Sequence, residues 1–170
     1  MTKRTIFTAA ILACTFISLW AQKGYNIKIK LDNYPEKELI LGFHYGEKQY
    51  VKDTAVTGPD GFFTFKADTL FKPGVYMLVM KPDNKPLEIM MPADDQDFSL
   101  TTDATAPVEK MKVKGSDDNA TFFEYLKFIA DQRPIADSLR AQMSRAKTAK
   151  DSTAFTDKLN QIDLKVKKYQ

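Results

Sequence analysis

Any chemistry in this chain must come from very few side chains. Of its 170 residues one is a cysteine, Cys14, and one is a histidine, His44. Disulfide exchange needs one thiolate to attack and a second thiol to resolve the mixed disulfide, and Cys14 has no second thiol in the chain. His44 belongs to the residue type best suited to general-base work near neutrality. It stands between Phe43 and Tyr45, and no motif supplies a nucleophile or an orienting carboxylate. A base alone does not make a triad, so His44 reads as structural. Asp94, Asp95 and Asp97 offer the oxygens calcium prefers, but a calcium loop needs ligands at alternating positions and a distant bidentate acid. They read as a solvated turn. Asp117 and Asp118 stand where acids complement the dipole of a helix start. No phosphate loop, nucleophile elbow or metal-ligand spacing occurs. The expectation is no catalytic residue, no cofactor-binding residue and no metal ligand.

Two further groups are candidates for recognition. Phe62, Phe63, Phe65, Phe71 and Tyr76 read as sandwich core or as the lining of a ligand groove. Phe62 and Phe63 are adjacent and must point to opposite faces of a strand, which leaves one of them for a contact surface. The triplets Asp53-Thr54-Ala55, Asp68-Thr69-Leu70, Asp137-Ser138-Leu139 and Asp151-Ser152-Thr153 resemble a bacterial O-glycosylation pattern.

The elements that must position these residues fall into two regimes. Up to about Lys114 the period is two. Tyr25, Ile27, Ile29 and Leu31 alternate with Asn26, Lys28, Lys30 and Asp32, the pattern of a strand with one wet face. Leu39, Leu41, Phe43 and Tyr45 repeat it, and Val51 to Val56 follows the Gly46-Glu47 turn. Pro59-Asp60-Gly61 is a turn with a mechanism: Pro presets φ, Asp bonds locally and Gly accepts positive φ. Strands are predicted around Phe63, over Val75 to Met80, Leu87 to Met91, Phe98 to Thr101 and Val108 to Val113. About eight short strands with no helical segment between them predict an antiparallel β-sandwich over 22–115.

After Gly115 the period becomes helical. Phe122, Tyr125, Leu126 and Ile129 form one stripe, with Thr121 and Glu124 placed as a capping box. Pro134 breaks or restarts this helix. Ile135, Leu139, Met143 and Ala146 continue it. Asp151-Ser152 offers a new cap before Phe155, Leu159, Ile162, Val166 and Tyr169. The second stripe runs to Gln170 with no stop signal, so residues 116–170 read as a helical spacer leading into something further.

At the other end, Lys3 and Arg4 precede a charge-free apolar run from Thr5 to Trp20, closed by Ala21. A basic head, a short apolar stretch and a small residue form an export signal, here residues 1–21. The run falls short of the roughly 20 apolar residues a spanning helix needs. Ile11-Leu12-Ala13-Cys14 faintly resembles a lipoprotein box, but Leu12 is bulky there and the apolar run continues past Cys14. Soluble export to the periplasm or cell envelope is therefore preferred to lipid anchoring. Losing Lys3 and Arg4 lowers the formal net charge from +3 to +1, and no basic patch marks a nucleic-acid surface. Without disulfides the mature protein must be held by its core, to which 12 Phe and 7 Tyr contribute.

The order of several short motifs carries a resemblance. Tyr25-x-Ile27-x-Ile29 is followed by Asp53-Thr54-Ala55, then by Gly58-x-Asp60-Gly61-x-Phe63-x-Phe65 and by Pro73-Gly74-x-Tyr76. Gly115-Ser116-x-x-Asn119-x-x-Phe122 marks the change from strands to helix. This series resembles the N-terminal β domain of unknown function and helical spacer that precede the thioredoxin-like domain in exported Gram-negative thiol–disulfide oxidoreductases of the TlpA/ResA type. The resemblance implies a redox domain carrying a Cys-x-x-Cys pair, and no position in this sequence matches that pair. It implies for the present chain a non-catalytic accessory module that positions partners or oligomerises. The alternatives are a stand-alone exported module that binds a glycan, peptide or envelope component, and a structural subunit whose helical stripes pair between copies.

Overall fold

The structure is a computed structural model that describes residues 24–145 and 149–168. The export-signal reading of residues 1–21, including Cys14, lies outside the described residues. Eight strands come first: β1 (Tyr25–Asp32), β2 (Glu38–Tyr45), β3 (Lys48–Val56), β4 (Phe63–Ala67), β5 (Gly74–Met80), β6 (Lys85–Met91), β7 (Asp97–Asp103) and β8 (Lys112–Lys114). Two helices follow, α1 (Asp117–Ser144) and α2 (Ala149–Lys167).

The strands form two four-stranded sheets, ordered β4-β1-β7-β8 and β3-β2-β5-β6. Their facing sides carry the residues the alternation selects. Ile27, Ile29, Phe65 and Leu100 from one sheet, and Leu39, Leu41, Leu78 and Ile89 from the other, are each at most 1% exposed. Burying each of these side chains contributes about 1.5–3 kcal/mol. The Pro59-Asp60-Gly61 turn forms as expected: the Phe62 amide donates to the Asp60 carboxylate, Gly61 N donates to the Gly58 carbonyl, and Gly61 takes a φ of 77°. Phe63 enters the core and Phe62 stays half-buried before the strand begins.

Several expectations change. The sandwich is not wholly antiparallel, because β1 runs parallel to β7, with Asn26 opposite Asp97 and Asp32 opposite Asp103. Alternation specifies which face a residue takes but not its strand's partner or direction. The strand expected over Val108 to Val113 shrinks to Lys112–Lys114, since Lys110 and Met111 donate to the Ala106 and Val108 carbonyls in a local turn. Pro134 neither breaks nor restarts the helix but lies inside α1. It sits on the exposed face, where water can reach the carbonyl that loses its donor. The cap of α1 is Ser116, whose side chain accepts from Asn119 N, and not Thr121. Helix α2 begins at Ala149, so Asp151 and Ser152 lie within its first turn.

Helix α1 packs on the edge strands β6 and β8, and α2 folds back along α1. Phe155, Leu159, Ile162 and Val166 of α2 are half-buried along this seam. Among the described residues, no helix is long and apolar enough to cross a membrane.

Candidate functional site

Three polar side chains that are buried or nearly so organise the molecule's corners. The first stands where strands give way to helix. Gly115 adopts a φ of 84°, and a Cβ there would lie 2.8 Å from the Asp97 carbonyl oxygen, so glycine is required both by conformation and by contact. Ser116 Oγ then accepts from Asn119 N at 3.2 Å and from Asn119 Nδ2 at 3.0 Å. The rest of the Asn119 amide turns to the outer edge of β6: Met90 N donates to Oδ1 at 2.9 Å, and Nδ2 donates to the Met90 carbonyl at 2.8 Å. One amide side chain thus gives an edge strand the pair of bonds a neighbouring strand would give, which blunts that edge. Asn119 is fully buried, and Phe123, one turn on, enters the core at 1% exposure.

The second is Gln96, also fully buried. Its Oε1 accepts from Phe71 N at 2.8 Å, while Nε2 donates to the carbonyls of Phe71 and Pro92 at 2.9 and 2.7 Å. These bonds hold the connector between β4 and β5 against the start of β7. The third is Asp103, which accepts from Asn33 Nδ2, from the Thr105 amide and hydroxyl, and from Lys110 Nζ at 2.7 Å. The bond from the Lys110 ammonium, followed by those from Thr105, holds this carboxyl well below the usual carboxylate range. A depressed folded-state pKa adds stability that is complete above the ordinary carboxyl range and is lost as pH falls from about 4 through the folded value. The stability difference between the wild type and Asp103→Asn should therefore be constant at neutral pH and shrink below about pH 4. Urea midpoints measured across that window check it, and a pH-independent difference would contradict this role for Asp103.

The residues singled out from the sequence fall as follows. His44 lies exposed near the end of β2. Asp94 and Asp95 come together with Asp117 and Asp118 around an open depression of about 510 Å³, a juxtaposition the sequence does not reveal. Asp97 is engaged elsewhere, accepting from Asn26 Nδ2 at 3.0 Å. No cluster of three or more His, Cys, Asp or Glu suited to a metal ion occurs among the described residues. Thr54, Thr69 and Ser138 of the Asp-Thr/Ser triplets are exposed, and Ser152 is half-buried.

The aromatic set divides. Phe63 and Phe65 are core, whereas Phe71 and Tyr76 floor a groove of about 630 Å³ between the β2–β3 hairpin and the β4–β5 connector. The rings run as a ladder from the interior outward. Tyr25 stacks on Phe71 at 3.9 Å, Phe71 meets Tyr76 at 5.4 Å, Tyr76 meets Phe43 at 6.2 Å, and Phe43 stacks on Tyr50 at 5.7 Å. Burial raises the phenol pKa of Tyr76, while that of Tyr25 is raised by burial and then by the nearby Asp53 carboxylate. Tyr76 donates its hydroxyl hydrogen to the Lys72 carbonyl at 3.0 Å, which pins the connector over the groove.

The polar residues that matter most were not read from sequence as positioning groups. Ser116 followed three residues later by Asn119, with acids at 117 and 118, is a helix-start signal that could have displaced the Thr121–Glu124 box. Gln96 and Asp103 leave no comparable trace, because their roles depend on partners far along the chain.

Fold and site together define a two-sheet β-sandwich joined through a buried amide to a helical hairpin. The chain belongs to the family described as a domain of unknown function (DUF4369), whose profile matches residues 25–122. The match thus covers the sandwich, the Gly115–Asn119 joint and the first turn of α1. No curated protein and no solved structure matches the chain.

Proposed function

We propose that this chain is the non-catalytic accessory module of an exported, periplasmic thiol–disulfide oxidoreductase, whose Cys-x-x-Cys pair sits in a thioredoxin-like domain outside it. In this reading residues 1–21 direct export, 22–115 form the recognition or assembly module and 116–170 are the spacer. The joint at Ser116 and Asn119 carries the reading. It fixes the 28-residue α1 to the sandwich edge, and at 1.5 Å per residue such a helix is about 40 Å long. Because α2 folds back along α1, the anchored hairpin returns the chain toward the sandwich and suits a spacer that holds a following domain in a set position beside it. The presence of Cys14 as the one cysteine supports placing the redox chemistry elsewhere.

The test is the intact mass of the native protein, captured from its source cells with an antibody to the sandwich. The expected species exceeds the mature chain by about one further domain, roughly 100–150 residues, and reduces insulin disulfides, whereas residues 22–170 alone do not. A mature species ending at Gln170 with no reductase activity overturns the proposal. The second reading, a stand-alone exported binding module, draws its support from the aromatic groove and would be favoured by that outcome.

A further inference from the structure

We propose that the groove between the β2–β3 hairpin and the β4–β5 connector binds an extended acidic peptide, taking its apolar side chains on the groove walls and its carboxylates on Lys52 and Lys72. This holds whether or not a redox domain follows the chain.

The argument begins with a bulge. Asp53 pairs with Leu41 and Val51 pairs with Gly42, so Lys52 is an extra residue with no partner on β2. Bulges bend a strand and re-aim a side chain. Here the Lys52 ammonium comes to stand 5.3 Å from the centre of the Phe71 ring, over the groove floor. Lys72 lines the groove from the connector side, and His44 lies at its rim. No carboxylate is among the groove-lining residues.

Four other described lysines pair with carboxylates, Lys30 with Asp32 among them. Lys81 pairs with Glu38, Lys85 with Asp83 and Lys110 with Asp103. Neither Lys52 nor Lys72 makes an ion pair with a described carboxylate. An ammonium over an apolar floor, a second lysine in the lining and no carboxylate beside them make the groove complementary to an anionic partner.

The walls select a peptide over a sugar. Tyr45, Val75 and Leu70 are 76%, 47% and 38% exposed, large values for apolar side chains that line one cleft. Sugar rings stack on open aromatic faces; Tyr45 offers one at the hairpin end, but the floor rings Phe71 and Tyr76 are only 6% and 7% exposed and are covered by their neighbours. Leucine- or tyrosine-sized side chains spaced by carboxylates match the Leu70, Val75 and Tyr45 walls with a cation over the floor. At Gly74 an added Cβ would meet nothing within 4 Å, so the cleft is open beside the start of β5.

The test is a titration of the full chain, observed by amide NMR, with a synthetic peptide of alternating Glu and Leu. A Gln-for-Glu version of that peptide and polygalacturonate serve as comparison probes. Shifts centred on Phe71, Val75 and Tyr76 are expected, with affinity falling as salt rises and at least tenfold weaker binding of the Gln version. Lys52→Gln should weaken binding roughly two- to fivefold, the size of one exposed charge contact. Lys85→Gln, whose ion pair lies outside the groove, should leave it unchanged. Val75→Glu, at an exposed position that the fold tolerates, should abolish binding while the far-UV spectrum stays native. No shifts at millimolar peptide, or equal binding of the Gln peptide, would overturn the proposal. So would polygalacturonate moving the same amides while the acidic peptide does not.

Discussion

Replacing Asn119 by leucine is expected to lower the unfolding free energy by about 2–4 kcal/mol. Leucine keeps the volume and removes the polar contacts of the side chain. Met90 N and O then face an apolar group at the edge of β6, and Ser116 Oγ loses the Nδ2 donor while keeping the backbone N–H of residue 119. Each buried backbone group left unpaired costs about 1–3 kcal/mol. A urea titration measures the total, and hydrogen exchange at the Met90 amide isolates the cause, because that amide should lose protection ahead of its neighbours in β6. Ser116→Ala should cost less, about 1 kcal/mol for a lost helix cap. Combined with Asn119→Leu it should add somewhat less than it does alone, since the Nδ2–Oγ bond is already gone while the backbone N–H of residue 119 still uses the cap. An unchanged Met90 exchange rate would show that the amide does not stand in for a strand.

A still larger effect is expected at Gln96. Gln96→Glu keeps the shape but places a carboxylate oxygen where Nε2 now donates to the Phe71 and Pro92 carbonyls, at 2.9 and 2.7 Å. Two carbonyl oxygens would then face a buried carboxylate, a change expected to cost about 3–5 kcal/mol near neutrality. That is a large share of the 5–15 kcal/mol by which a domain of this kind is stable. Protonation restores one donor, so the loss should be smaller at pH 4.5 than at pH 7. Gln96→Leu should cost less than Gln96→Glu at pH 7 and show no such recovery. Near-UV circular dichroism gives a second readout: Phe71 stacks on Tyr25 at 3.9 Å, so releasing the connector should weaken the aromatic signal. A Gln96→Glu protein with wild-type stability at pH 7 would refute this account of the connector.

These two residues mark the boundary of what a single sequence discloses. β1 was legible because one of its faces is wet: Lys28 and Lys30 alternate with Ile27 and Ile29, and the structure buries the second pair. The change of period at Gly115 likewise separated strands from helices. What the alternation does not carry is pairing, so the parallel contact of β1 with β7 stayed hidden. The helix start was displaced to Thr121 because the apolar stripe begins at Phe122, while the true cap is set by hydrogen bonds from Asn119 to Ser116. In the groove, Phe71 and Tyr76 read from sequence as sandwich core or as lining, and the structure makes them both: buried members of the core that lie beneath the groove. Lys52 was not, because a bulge exists only relative to the partner strand.

The parallel pairing of β1 with β7 also bears on how the chain acquires its shape. A strand that begins at Tyr25 meets its partner only after residues 97–103 exist, and its other neighbour, β4, is complete only at Ala67. A ribosome delivering the chain in order leaves β1 with β4 as its one available neighbour until some seventy residues after it have been made. The hairpin of β2 and β3 closes across two residues, Gly46 and Glu47, and can form while β1 waits. Contacts so distant along the chain make closure slow. The newborn protein thus passes through a stage in which one edge of an apolar ribbon, Ile27 to Leu31, is open, and any truncation that removes β7 leaves that edge open for good.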